Sequence, residues 1–140
     1  MSADFLDSNV LVYLFDDVAP RKPLISRKLV QAALVQKSAC ISFQVVQETL
    51  NVITRKLATP VKAEDAHAFL GHVLMPLCRV MPSERLYQHA IELQYRFSIS
   101  FYDALIVAAA LEAGCSRLLT EDLQHGQRIE SLRIENPFKS

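Results

Sequence analysis

Four carboxylates of this 140-residue chain stand where a folded domain could gather them: Asp7, Glu48, Asp103 and Asp122. Asp7 closes the apolar stretch Ala3-Asp-Phe-Leu and is followed closely by Asn9. Glu48 lies inside a helical pattern, Asp103 opens a long apolar run, and Asp122 follows Thr120 at the end of Arg117-Leu-Leu-Thr120. Two unit charges about 4 Å apart repel by roughly 4 kcal/mol at an effective dielectric near 20. Carboxylates meeting at one place would therefore need a cation, and hard oxygen ligands with water in the open positions suit Mg²⁺ or Mn²⁺. Such a centre generates hydroxide from water and stabilises charge on a phosphate and its leaving oxygen. Thr120 and Asn9 would orient carboxylates or water around it.

Each acid also has a plainer reading. Asp7 could cap the first helix, and Ser100-x-x-Asp103 before an apolar run fits a capping box. Thr120 and Asp122 could make a side-chain turn, with Glu121 between them solvated. Glu48 is harder to assign to an open surface. On a 3.6-residue period Phe43, Val46, Leu50, Ile53 and Leu57 share one face and Glu48 lies opposite, yet Val45 and Val52 flank it on its own stripe. This acid is expected to border other protein or a cleft. Zinc is not indicated: His67 and His72 are five apart, and His89, His125 and the three cysteines Cys40, Cys78 and Cys115 are scattered.

The elements that must hold these groups alternate between extended and helical patterns. Strands are expected at 3–7, 39–42, 77–81 and 117–120, with short extended pieces at 127–129 and 132–134. Helices are expected at 9–16, 24–36, 43–57, 62–75 and 84–97, with Asp17–Pro23 as a loop and Pro76 as a stop. The last long helix begins after Ser100; from Ala104 to Leu111 it is apolar on every side, so it must be buried all round. This alternation implies one α/β domain over 1–140 with a mainly parallel sheet, and in such sheets sites form beyond the carboxyl ends of the strands.

Half of the residues are apolar, which argues against disorder, and the formal net charge is zero. Basic residues outnumber acids only in the first 62 positions, where Arg21-Lys22 and Arg55-Lys56 could contribute to a basic rim for a phosphate backbone. The odd, dispersed cysteines read as reduced thiols of a cytoplasmic protein, and the N-terminus reads as neither signal peptide nor membrane span.

Taken together, Phe5-Leu-Asp7-Ser-Asn9-Val-Leu, Glu48, Ser100-Phe-Tyr-Asp103-Ala-Leu-Ile-Val-Ala-Ala-Ala and Leu119-Thr120-Glu-Asp122-Leu resemble the four motifs of PIN-domain ribonucleases. The likeness is greatest to the VapC-type toxins of bacterial toxin–antitoxin pairs. The resemblance implies a three-layer PIN-like fold, with a central sheet of about five short strands flanked by helices. It also implies an endoribonuclease dependent on Mg²⁺ or Mn²⁺, with RNA as substrate, a homodimeric state and a cognate antitoxin as partner. By motif, Asp7, Glu48, Asp103 and Asp122 would be the catalytic and metal-binding acids, supported by Asn9 and Thr120. Two alternatives keep the fold: a non-catalytic interaction module and a housekeeping RNA-processing nuclease.

Overall fold

The computed structural model describes residues 3–16 and 20–139. Strand β1 (Ala3–Leu6) runs through the centre of a six-stranded sheet. On one side lie β2 (Ala39–Ser42) and β3 (Cys78–Val80); on the other lie β4 (Cys115–Leu119), β6 (Leu132–Glu135) and β5 (Arg128–Ile129). Every pairing is parallel except β5 with β6, which is antiparallel. The expected sheet of about five strands thus has a sixth, the two-residue β5 at its edge.

The chain leaves β1 for β2 and β3 in one direction, then returns to place β4 against the other side of β1. The carboxyl ends of β1 and β4 therefore flank the switch in strand order, where an open α/β sheet leaves a crevice. Leu6 is paired with Leu119, and the Asp7 N–H donates to the Leu119 carbonyl at 3.0 Å. That register puts Asp7 and Thr120, the next residue of each strand, side by side.

Helices α1 (Ser8–Val12), α2 (Arg21–Gln36), α3 (Phe43–Arg55), α4 (Ala63–Phe69), α5 (Met75–Leu77), α6 (Glu84–Phe97) and α7 (Phe101–Glu112) surround the sheet. Residues Ala104 to Ala110 of α7 are all buried, as an all-apolar helix requires, with α6 packed along it and the sheet behind it. Small Ala side chains let these neighbours approach the helix closely.

Several element ends shift by one or two residues from the sequence expectation, as in β4, which starts at Cys115, and α3, which ends at Arg55; three differences are larger. Helix α2 starts at Arg21 and carries Pro23 in its first turn, where the missing N–H would have had no intrahelical partner. Of the expected loop, residues 17–19 lie outside the described residues. Pro76 does not stop its helix: a π-helical turn over Leu70–Leu74 precedes α5, and a widened turn relieves the clash between a proline ring and the carbonyl before it. The first helix is α-helical only to Val12 and tightens into a 3₁₀ turn over Tyr13–Phe15.

Candidate active site

Thr120 is the hub of the polar groups at the switch point. It is fully buried, and its hydroxyl has one hydrogen and two lone pairs, all of them used. The hydrogen goes to Asp7 Oδ2 at 2.7 Å. The lone pairs accept from the Asp122 N–H at 3.1 Å and from Asn9 Nδ2 at 3.3 Å. Asn9 Nδ2 also donates to Asp122 Oδ2 at 3.3 Å, so Asn9 and Thr120 together fix Asp122 beside Asp7.

Asp7 is only 5% exposed. It caps α1 through the Ser8 N–H, 2.7 Å from its Oδ1, so the cap reading holds, and the cap leaves Asp7 beside Thr120 and Asp122 at the switch point. Burial pushes its carboxyl from an ordinary 3.8 up to about 6. The hydrogen bonds from Thr120 and Ser8 oppose that rise, while the charges of Asp122 and Glu48 add to it. Asp122 is also raised, first by burial and then by the charges of Asp103 and Glu121, against the hydrogen bond from Asn9.

Glu48 sits at the rim of the buried face of α3. That face is centred on Gln44, Val45, Thr49 and Ile53, a step round the helix from the stripe expected through Phe43, Val46 and Leu50, because Gln44 and Thr49 turn inward. Both Glu48 oxygens are held: Oε1 by the Ser8 hydroxyl at 3.2 Å and Oε2 by Gln44 Nε2 at 3.1 Å. Asp103 is half-buried in the first turn of α7, and its N–H donates to Ser100 Oγ at 3.1 Å. The capping motif therefore forms, and its acid also acts electrostatically on Asp122. Like-charge coupling thus chains the acids together, Glu48 to Asp7, Asp7 to Asp122 and Asp122 to Asp103.

Glu121 departs from the expectation of a solvated side chain. Lys22 Nζ lies 3.1 Å from its Oε2, and the Tyr13 hydroxyl donates to its Oε1. Lys22 also donates to the Tyr13 hydroxyl at 3.1 Å and lies over the Tyr13 ring. Of the other basic residues, Arg21 donates to the Phe138 carbonyl, while Arg55 and Lys56 stand exposed at the end of α3. Ser8 and Gln44 were not singled out from the sequence. Ser8 is the residue between Asp7 and Asn9, and Gln44 lies one helical turn before Glu48, a spacing that places two side chains together.

Among the described residues no three acidic, His or Cys side chains already enclose a point where an ion would sit. The donor chemistry nevertheless fits a hydrated cation. Mg²⁺ keeps several waters and takes only one or two carboxylates directly. The oxygens here are hard, Asp7 is disfavoured as an anion by burial and by the charges of Asp122 and Glu48, Asp122 by burial and by the charges of Asp103 and Glu121, and Asn9 Oδ1 is buried without a partner among the described residues.

The hub makes a specific forecast. Thr120→Val preserves shape but removes three hydrogen bonds, and is expected to cost about 2–3 kcal/mol. The loss should be larger at pH 8 than at pH 5, because the hydroxyl stabilises the ionised form of Asp7. Denaturant melts at the two pH values check this; equal losses would mean that Asp7 does not feel Thr120.

Comparison with known proteins adds a lineage to this geometry. The family model described as "PIN domain" matches residues 5–128. No match is found among curated proteins. A toxin–antitoxin complex from Klebsiella pneumoniae is similar in structure at 18% identity, with a TM-score of 0.68 over 97% of this chain and 98% of that one. VapC20 of Mycobacterium tuberculosis, described as a sarcin–ricin loop cleaving toxin, is similar at 21% identity and TM-score 0.61, over 86% and 92% of the two chains. DNA-bound VapBC of Salmonella typhimurium is similar at 19% identity and TM-score 0.66, over 98% and 99%.

Proposed function

The chain belongs to the PIN-domain family, and we propose that it is a divalent-cation-dependent endoribonuclease, the toxin of a toxin–antitoxin pair. The observation that carries this reading is the hydrogen-bonded cluster at the switch point, in which Thr120, Asn9 and Ser8 gather Asp7, Asp122 and Glu48 around one crevice. The likeness to proteins described as a toxin–antitoxin complex and as a sarcin–ricin loop cleaving toxin supports it.

In this reading Asp7 and Asp103 would hold Mg²⁺ or Mn²⁺, Glu48 would bind metal or orient the attacking water, and Asp122 would hold a second cation or a water. When bound, such a cation would activate water and offset charge on the phosphate. The chain's own part is to keep the acids still. Thr120 locks one oxygen of Asp7 and Ser8 N–H the other, so the carboxylate cannot turn when a cation arrives. Arg55 and Lys56 are open to an RNA backbone, whereas Arg21 and Lys22 would have to share their present partners with it. A second copy would find an exposed apolar stripe in Tyr87, Ile91 and Tyr95 of α6, and a cognate antitoxin is the regulatory partner. Among the described residues no helix is long and apolar enough to cross a membrane.

The test is direct. Purified protein with Mn²⁺ or Mg²⁺ is expected to cut end-labelled RNA, and Asp103→Asn, folded by circular dichroism, is expected to leave it intact. Cleavage by the variant at the wild-type rate would remove Asp103 from the site. An inert wild-type protein across a broad RNA pool would overturn the nuclease reading.

A further inference from the structure

Gln44 is a buried polar side chain, hydrogen-bonded to one of the acids, that the proposed mechanism leaves unused. It is 3% exposed. Its Nε2 donates to Glu48 Oε2 and to the backbone carbonyl of Tyr102, each at 3.1 Å. Both neighbours can only accept, so the amide cannot be turned over, and the nitrogen must face them. The other end, Oε1, is then buried with no hydrogen-bond partner among the described residues.

A buried acceptor without a donor costs stability; an apolar side chain of similar volume would avoid that cost but lose the two donated hydrogen bonds. Filling space therefore does not by itself account for an amide here. Its geometry does offer an account. Tyr102 stands in the first turn of α7, next to Asp103, while Gln44 and Glu48 stand on α3. One amide thus ties the Glu48 carboxylate to the backbone that carries Asp103. Ser8 holds the second Glu48 oxygen from α1.

We propose that Gln44 is a positioning residue, which sets the distance between Glu48 and Asp103 and thereby the affinity of the site for its divalent cation. The inference rests on the cation-dependent reading above. Partners that orient metal-binding groups are worth about 10–100-fold in metal affinity.

The experiment is a titration of Mn²⁺ alone against melting temperature, on the full chain, for wild type and Gln44→Met. The metal-free melting temperature of Gln44→Met is expected to change by only a few degrees, because relief of the unpaired Oε1 offsets much of the loss of the two donated hydrogen bonds. The Mn²⁺ concentration giving the half-maximal rise is expected to increase about tenfold. With RNA, kcat at fixed Mn²⁺ should fall while KM changes little. Glu48→Gln supplies the second arm: if Gln44 acts through Glu48, adding Gln44→Met in that background should move the Mn²⁺ midpoint no further. Should Gln44→Met prove too unstable to titrate, Gln44→Leu takes its place. A Mn²⁺ midpoint within twofold of wild type, or a further tenfold change in the Glu48→Gln background, overturns the proposal while the metal site stands. A wild-type protein whose melting temperature ignores both Mn²⁺ and Mg²⁺ removes the cation-dependent reading itself, and this inference with it.

Discussion

Asp7→Asn is expected to abolish RNA cleavage and, at the same time, to make the metal-free protein more stable at neutral pH. The two effects have one cause. Asp7 is 5% exposed, and burial with two neighbouring acids lifts its carboxyl from 3.8 to about 6. The folded state therefore holds a proton there that the unfolded chain has already released. That contribution to stability is complete below about pH 4 and is lost as pH rises through about 6. Above that pH the metal-free fold carries an ionised buried carboxylate at a cost of about 3 kcal/mol. Asparagine removes the charge and keeps an acceptor for the Ser8 N–H, but loses one good hydrogen bond with Thr120, worth about 1 kcal/mol. The net gain should be about 2 kcal/mol at pH 7.5, or roughly 5–10 °C in melting temperature, fading towards pH 4. The same change removes a proposed cation ligand, and losing several kcal/mol of transition-state stabilisation slows cleavage by about 10³-fold or more. Thermal melts in chelator across pH 4–8, beside a cleavage assay, check both halves. A variant that is inactive and also less stable at pH 7.5 would make Asp7 a structural residue only.

Chelation of divalent cations is expected to stop cleavage by the wild-type protein, and their return to stabilise the fold. A cation that binds only the folded state at about a hundred times its dissociation constant adds about 2.7 kcal/mol. Because the Asp7 proton competes with it, the increment should be larger at pH 7.5 than at pH 5. Asp7→Asn should lose most of it. Mn²⁺ and Mg²⁺ titrations followed by differential scanning calorimetry supply the measurement. An increment that is the same at both pH values, or undiminished in Asp7→Asn, would place the cation somewhere other than on Asp7.

Much of the frame was legible from neighbouring residues. Ser100, Asp103 and the apolar run after them specify a capped α7 that is buried from Ala104 to Ala110, because capping and helical periodicity are encoded within a few positions of one another. The order of strands and helices, and the candidacy of the four acids at strand ends and helix starts, followed from the same local patterns. The Glu48 stripe shows where that logic weakens. Its 3.6-residue period was read from apolar side chains, but the true inner face includes Gln44 and Thr49, whose burial depends on what lies across from them.

Contacts between distant parts of the chain emerge only in the folded protein. Thr120 reaches Asp7 across 113 positions because β4 returns to pair with β1, and no local pattern specifies that return. The same is true of Glu121, taken out of solvent by Lys22 and Tyr13, and of the Gln44 amide meeting α7. The raised Asp7 carboxyl belongs with them, since desolvation arises only when the whole sheet closes over the group. Local patterns along the chain are enough to name the groups that could do chemistry and the elements that carry them. The strand order decided which of them touch, because charge, burial and hydrogen bonding act through space and not along the chain.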